Sequence, residues 1–146
     1  MDLSGLKWPL IIVIVVAIGW LASSGGVNWM VKQATKATPG QDQAQDVKDE
    51  ARLSKISGYL MILWRYERAA EVLNDCFARY GASGANHWHN KYRMVKCQEK
   101  MENYQQAYNI LQELLAAQAW TYDKRVPDMD NLSLRASKLK EVHELQ

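Results

Sequence analysis

The first part of the chain shows an uninterrupted apolar pattern. From Trp8 to Val31 there are 24 residues without a charged side chain, and the run LIIVIVVAIGWL lies inside them. Trp8 and Trp29 are separated by roughly 31 Å along a continuous helix, close to the ~30 Å hydrocarbon thickness of a bilayer. Indole rings favour the headgroup region. The pattern therefore predicts a transmembrane helix over residues 8–31, with Trp8 and Trp29 at the two membrane interfaces.

Other interpretations of this segment remain open. Residues 23–26, Ser-Ser-Gly-Gly, weaken a helix because each glycine costs roughly 1 kcal/mol relative to alanine, so the helix could bend or end there. A cleavable signal peptide would show a similar apolar stretch after Lys7. A buried core helix would need a much larger fold around it. The direction of insertion is undetermined, because basic residues lie on both sides.

A polar segment follows the apolar one. Residues 33–50 contain no aromatic side chain, and Pro39 and Gly40 interrupt them, which is typical of a linker. Fully extended, residues 32–46 could span roughly 50 Å. We therefore divide the chain into a tail (1–7), an anchor (8–31), a linker (32–46) and a folded domain (47–146).

The folded domain shows helical periodicity throughout. Apolar positions recur every three to four residues, and no segment alternates in the way of a strand. Gly81 ends the second helical segment, and Asn131 or Ser133 could cap the last one. The predicted fold class is all-α, with one N-terminal transmembrane helix, a polar linker, two helical hairpins and a C-terminal capping helix.

Two of the helical segments begin alike. The matching positions, each pair 38 residues apart, are Tyr66 and Tyr104, Ala69 and Ala107, and Leu73 and Leu111. Over about residues 51–120 this arrangement resembles the tetratricopeptide repeat, a helical hairpin of about 34 residues. Neither unit keeps the Trp, Gly and Pro of that family, and Gln98 stands at an apolar position. A generic pair of helical hairpins is the alternative.

The resemblance implies a function in protein–protein interaction, since such repeats bind partners in a groove and rarely catalyse. The residues that the repeat spacing places at the groove are Ser54, Gly58, Met61, Ile62, His89, Tyr92, Lys96 and Lys100. We predict that the last six of these bind a partner. Because two units bury little surface, we expect an accessory or structural subunit that stabilises a larger membrane complex. The alternative is an anchored receptor or chaperone-like adaptor that binds client peptides transiently.

Composition and motifs argue against other classes. The 18 basic and 16 acidic residues lack the excess typical of nucleic-acid binding, so the expected partners are protein subunits and the lipid bilayer. No phosphate-binding glycine loop and no catalytic constellation is visible, so we predict no enzyme, cofactor or small-molecule substrate. His87 and His89 point about 200° apart on a helix, which disfavours a shared metal.

The two cysteines bear on localisation. Cys76 and Cys97 are interpreted either as buried thiols or as a disulfide, and a disulfide would indicate an oxidising compartment. A small redox or metal carrier built on these cysteines and the histidines is a third functional class. The predicted location is a single-pass position in a bacterial inner membrane, with the side of the folded domain undetermined.

Overall fold

The computed structural model describes residues 4–146 of the chain. These residues form seven α-helices and no strand, which confirms the predicted all-α class. The helices are α1 (Ser4–Ala22), α2 (Ser24–Ala34), α3 (Gln43–Ile62), α4 (Tyr66–Tyr80), α5 (His87–Lys100), α6 (Tyr104–Ala117) and α7 (Met129–His143). The chain divides into two compact units, one ending at Lys36 and the other running Ala37–Gln146. Each is described by itself.

The N-terminal unit contains a helix that could cross a membrane. The stretch Gly5–Ala22 of α1 is long and apolar enough to do so, a property that a signal sequence shares. The helix assumed over residues 8–31 is not continuous, because α1 ends at Ala22 and α2 begins at Ser24. Trp29 consequently lies beside Trp20, with ring centroids 5.8 Å apart. The 31 Å separation from Trp8 therefore does not apply, whereas the interfacial roles of Trp8 and Trp29 stay predictions.

The segment before α3 is attached to the helical domain. Asp42 caps α3 by accepting hydrogen bonds from the first turn, and Asp46 accepts one from the Gly40 backbone N–H at 2.9 Å. Arg79 of α4 donates to the backbone oxygen of Ala37 at 2.5 Å. Only residues 35–42 lie outside helices in the region predicted as a linker. The residues from Ala37 onward therefore do not form an extended spacer.

The turns inside the hairpins α3–α4 and α5–α6 have equivalent backbone geometry at a separation of 38 residues. Trp64 and Glu102 both have a positive φ, 59° and 64°. The next residues, Arg65 and Asn103, have φ/ψ of −94°/63° and −88°/63°. The matching hydrogen bonds are Trp64 N to Met61 O (3.0 Å) with Glu102 N to Glu99 O (3.1 Å), and Arg65 N to Leu60 O (2.9 Å) with Asn103 N to Gln98 O (2.8 Å). This correspondence is consistent with a helical-repeat fold.

The hydrophobic core runs between successive helices. The matched residues Ala69 and Ala107, and Leu73 and Leu111, are all completely buried. Small alanines let neighbouring helices approach closely, and each buried leucine contributes roughly 1.5–3 kcal/mol. A cluster centred on α6 joins it to both α5 and α7, and its largest members are Leu111, Leu114, Leu132 and Leu139.

The start of α7 differs from the prediction. Asp128, and neither Asn131 nor Ser133, is the N-cap, and its carboxylate accepts a hydrogen bond from the Asn131 backbone N–H at 3.0 Å. The prediction was wrong because α7 begins about one turn earlier than its first buried apolar residue, Leu132, indicates. Several capping side chains occur close together here, and only the backbone path distinguishes them.

Candidate functional site

Arg93 on α5 connects the first helices of the two hairpins. Its Nη1 donates to the backbone oxygen of Ser54 at 2.6 Å and lies 3.3 Å from the Ser54 hydroxyl and 3.4 Å from the Ser57 hydroxyl, both on α3. Gly58 provides the space, because a Cβ at that position would lie 2.9 Å from Arg93 Nη2. We call this contact between α3 and α5, formed by Ser54, Ser57, Gly58 and Arg93, the Arg93 seam.

The positive charge of Arg93 has no carboxylate partner within residues 4–146. Its hydrogen bonds go to hydroxyl and carbonyl oxygens, and the ion pairs of this region join other side chains. Burial, followed by the positive charge of Arg125, lowers the pKa of Arg93. Arg125 itself is paired with Asp123 at 2.8 Å. A half-buried cation without a countercharge is unfavourable, so a carboxylate supplied by another molecule would be attracted here.

A groove of about 520 Å³ lies between α5 and α7, and its lining includes Tyr92, Glu99, Asn131, Leu134, Arg135 and Lys138. Arg135 crosses it. Its Nε donates to Glu99 at 2.9 Å and its Nη1 donates to the Tyr92 hydroxyl at 2.9 Å, while Nη2 also pairs with Glu99. The Glu99 carboxylate, first by its hydrogen bond, raises the pKa of Arg135. No ion pair of Lys138, which lines the same groove, occurs within residues 4–146.

Three of the predicted partner-binding residues lie together on α5, beside Arg93. Lys96 Nζ lies 4.8 Å from the centre of the Tyr92 ring, a cation–π contact. His89 is partly buried, and its Nδ1 has no hydrogen-bond partner in the described part of the chain. Burial first, then Arg93 and Arg125, lower its pKa to about 4. His89 is therefore neutral near pH 7, and the charge of this surface comes from Arg93 and Lys96.

The other three predicted residues lie at the end of the domain where α3 meets α4. Lys100 Nζ lies 5.9 Å from the centre of the Tyr66 ring, in a cavity of about 480 Å³ that Trp64 also lines. Trp64 and Ile62 are the most exposed apolar side chains of the domain, at 81% and 77%, and Met61 is partly buried. We call Ile62, Trp64, Tyr66 and Lys100 the end patch. The six predicted partner-binding residues therefore lie on two separate surfaces.

Neither Arg93 nor Arg135 is among the site residues predicted from the sequence. A signal for Arg93 was present, because it follows His89 by four residues and precedes Lys96 by three, which places all three on one helical face. No comparable signal existed for Arg135. The connection before α7 is longer than the one before α5, so the register of α7 against α5 does not follow from the repeat.

The cysteines and His87 lie in the core. No group of three metal-ligating side chains occurs within the described residues. His87 is buried between the rings of Phe77 and Trp88, at centroid distances of 5.6 and 4.7 Å. Cys76 and Cys97 are buried free thiols, and burial raises their pKa to about 12 and about 11. Thiols of this kind are unreactive in the folded state.

Comparison with protein-family models, with characterised proteins and with solved structures gives no match for this chain.

Proposed function

We propose that this chain is a membrane-anchored interaction scaffold, with a tetratricopeptide-like domain that binds other protein subunits and stabilises a larger membrane complex. The observation that carries the proposal is the uncompensated charge of Arg93 beside Tyr92 and Lys96. Stacked helical hairpins bind partners along an extended surface. The equivalent turns at Trp64 and Glu102 support the repeat, and the apolar helix Gly5–Ala22 supports the anchor. A bacterial inner membrane is the location that we propose, with either side possible.

The chemistry of the surface defines the partner. Arg93, Lys96 and Lys138 favour a segment with carboxylates, and Tyr92 and Leu134 offer apolar contact area. Exposed charges of this type act mainly on the association rate and on its salt dependence. We therefore expect an acidic protein segment with at least one apolar side chain, and binding that weakens as salt is added. The proposal includes no catalytic step, cofactor, nucleic acid or small-molecule substrate.

The test is a charge reversal in the full chain. The chain is solubilised in a mild detergent, and the proteins that co-purify at constant stoichiometry are quantified by mass spectrometry. The double variant Lys96→Glu/Lys138→Glu reverses two charges, one over the Tyr92 ring and one in the groove lining, whereas Lys48→Glu/Lys140→Glu makes the same change at two other exposed lysines that do not line the groove. We expect loss of the partner only with the first variant. Equal recovery from both variants would contradict binding at this surface.

An anchored receptor for client peptides is the second candidate, and one observation favours it. Contacts within the chain, from Arg135 to Glu99 and to Tyr92, hold the α5–α7 groove in shape. A fragment of residues 37–146 separates the two proposals, and it begins at Ala37 because Arg79 holds that residue. A receptor domain should be a stable monomer that binds acidic peptides weakly. A subunit domain should be marginally stable alone, and a high melting temperature would count against it.

A further inference from the structure

The chain bends at the junction between α1 and α2, and hydrogen bonds of Ser23 hold this bend. Ser23 is the only residue between the two helices, and its backbone is extended, with φ −74° and ψ 163°. Its hydroxyl donates to the backbone oxygen of Trp20 and accepts from the backbone N–H of Gly26 at 3.3 Å. The Ser23 side chain thus provides a hydrogen-bond donor to a backbone carbonyl in the last turn of α1 and an acceptor for a backbone N–H in the first turn of α2.

The two helices approach each other so closely that only glycine fits at position 26. A Cβ on Gly26 would lie 2.1 Å from the backbone oxygen of Trp20 and 2.7 Å from the Cα of Leu21. Gly25 has no such restriction, since its nearest neighbours are 3.9 and 4.0 Å away. The Trp20 and Trp29 rings lie 5.8 Å apart, although nine residues of continuous helix would separate their Cα atoms by roughly 13.5 Å along the axis.

We infer that the bilayer crossing ends at Ser23, that Trp20 and Trp29 together contact one headgroup layer, and that α2 lies on its aqueous side. This inference depends on the membrane anchoring proposed above. The stretch Gly5–Ala22 rises about 27 Å, of which about 18 Å lies between Trp8 and Trp20. A crossing that ends at Ser23 is therefore shorter than the ~30 Å hydrocarbon core and requires local thinning of the bilayer and extension of Lys7 toward the opposite headgroups. The exposed polar residues of α2, which include Asn28, Lys32 and Gln33, suit water. Trp20 and Trp29 are each 49% exposed, and their indoles suit the headgroup level.

Cysteine labelling tests the exit point. The full chain is placed in vesicles of phosphatidylcholine and phosphatidylglycerol, with a membrane-impermeant maleimide on both sides. Single cysteines replace Val15 in the middle of α1, Asn28 on α2 and Gln33 as the aqueous reference. Cys76 and Cys97 are buried and stay in place, and the parent chain supplies the background. We expect Asn28→Cys to react about as fast as Gln33→Cys, and Val15→Cys at least about tenfold more slowly, because a thiol in hydrocarbon does not ionise.

The outcomes are distinguishable. Protection of Asn28→Cys to the level of Val15→Cys would overturn the inference and restore one continuous crossing over residues 8–31. Rapid reaction at Val15 as well would overturn the proposed anchoring itself, and with it this inference. An intact mass that lacks the first part of the chain would identify a cleaved signal peptide, which also overturns both.

A matched pair of glycine variants tests the bend separately. Gly26→Ala places a methyl group against the Trp20 backbone, whereas Gly25→Ala places one in open space. In the Asn28→Cys chain, we expect Gly26→Ala to slow labelling as the bend opens, and Gly25→Ala to leave the rate unchanged. Identical rates in the two variants would contradict a bend that depends on this close approach.

Discussion

The turn residue Trp64 allows a quantitative test of the internal repeat. Trp64 and its equivalent Glu102 have φ values of 59° and 64°, in the left-handed region where a side chain costs roughly 1–2 kcal/mol relative to glycine. Both side chains are exposed, so truncating them removes little buried area. We therefore predict that Trp64→Gly and Glu102→Gly each stabilise the domain.

The expected size follows from two opposing terms. Relief of the left-handed strain contributes about 1–2 kcal/mol, and the additional entropy that glycine gives the unfolded chain removes about 0.5–1 kcal/mol. The net gain in unfolding free energy is about 0.75 kcal/mol for each variant, between the bounds of about 0 and 1.5 kcal/mol that these two terms set. Because the two turns have equivalent geometry, the gains should agree within a few tenths of a kcal/mol. Gln112→Gly, in the exposed interior of α6, is the control and should destabilise by roughly 0.5–1 kcal/mol.

Unfolding of residues 37–146 in urea is monitored by circular dichroism. Fluorescence is unsuitable because Trp64→Gly removes a tryptophan and changes the signal. Destabilisation by both glycine variants would refute the strain argument. Stabilisation by Glu102→Gly together with destabilisation by Trp64→Gly would show that the indole packs more tightly in solution than its 81% exposure indicates. In the full chain, Trp64→Gly should also reduce recovery of the partner if the end patch is a subunit contact.

Three further predictions use the same fragment. Arg135→Met should lower the unfolding free energy by about 1–3 kcal/mol, because it removes charge-assisted hydrogen bonds to Glu99, and an unchanged urea midpoint would contradict this. The pKa of His89 is lowered from 6.5 to about 4, so the unfolded chain binds the proton first, and stability should fall as pH drops from 6.5 toward 4. His89→Gln should flatten that decline, and an identical pH profile would exclude the histidine as its source. Without reductant, Cys76 and Cys97 should resist a thiol reagent in the folded state and both react in denaturant, whereas no reaction in denaturant would reveal a disulfide.

The helical hairpins could be predicted from the sequence because their determinants are local. Apolar residues every three to four positions mark each buried helix face, and Ala69 and Ala107 mark the closest helix contacts. The bend at Ser23 could not be predicted with the same certainty. The apolar pattern continues through it, and the restriction on Gly26 arises from the approach of two helices. From the sequence, Ser23, Ser24, Gly25 and Gly26 indicated only that the helix could bend or end there.

The candidate site was less predictable, because long side chains can point in several directions from one backbone position. Lys96 and Lys100 are one helical turn apart on α5, yet Lys96 lies over Tyr92 and Lys100 lies over Tyr66 of α4. Arg93 reaches α3 only because Gly58 lacks a side chain. Spacing alone places residues on a face, whereas the contact partner depends on what the neighbouring helix leaves open.

Arg93 and Trp64 together bear on the choice between a permanent subunit and a transient receptor. Both residues are unfavourable in the isolated chain, Arg93 through its uncompensated charge and Trp64 through its strained backbone and exposed indole. A permanent partner would offset these costs throughout the life of the protein. A receptor would have the same energetic costs whenever no peptide is bound. Two separate unfavourable features, one at the Arg93 seam and one at the end patch, therefore favour a subunit that two surfaces hold in a complex. Trp64→Gly should therefore stabilise the isolated domain and weaken the complex, and a receptor with one peptide groove would not show this opposition at Trp64.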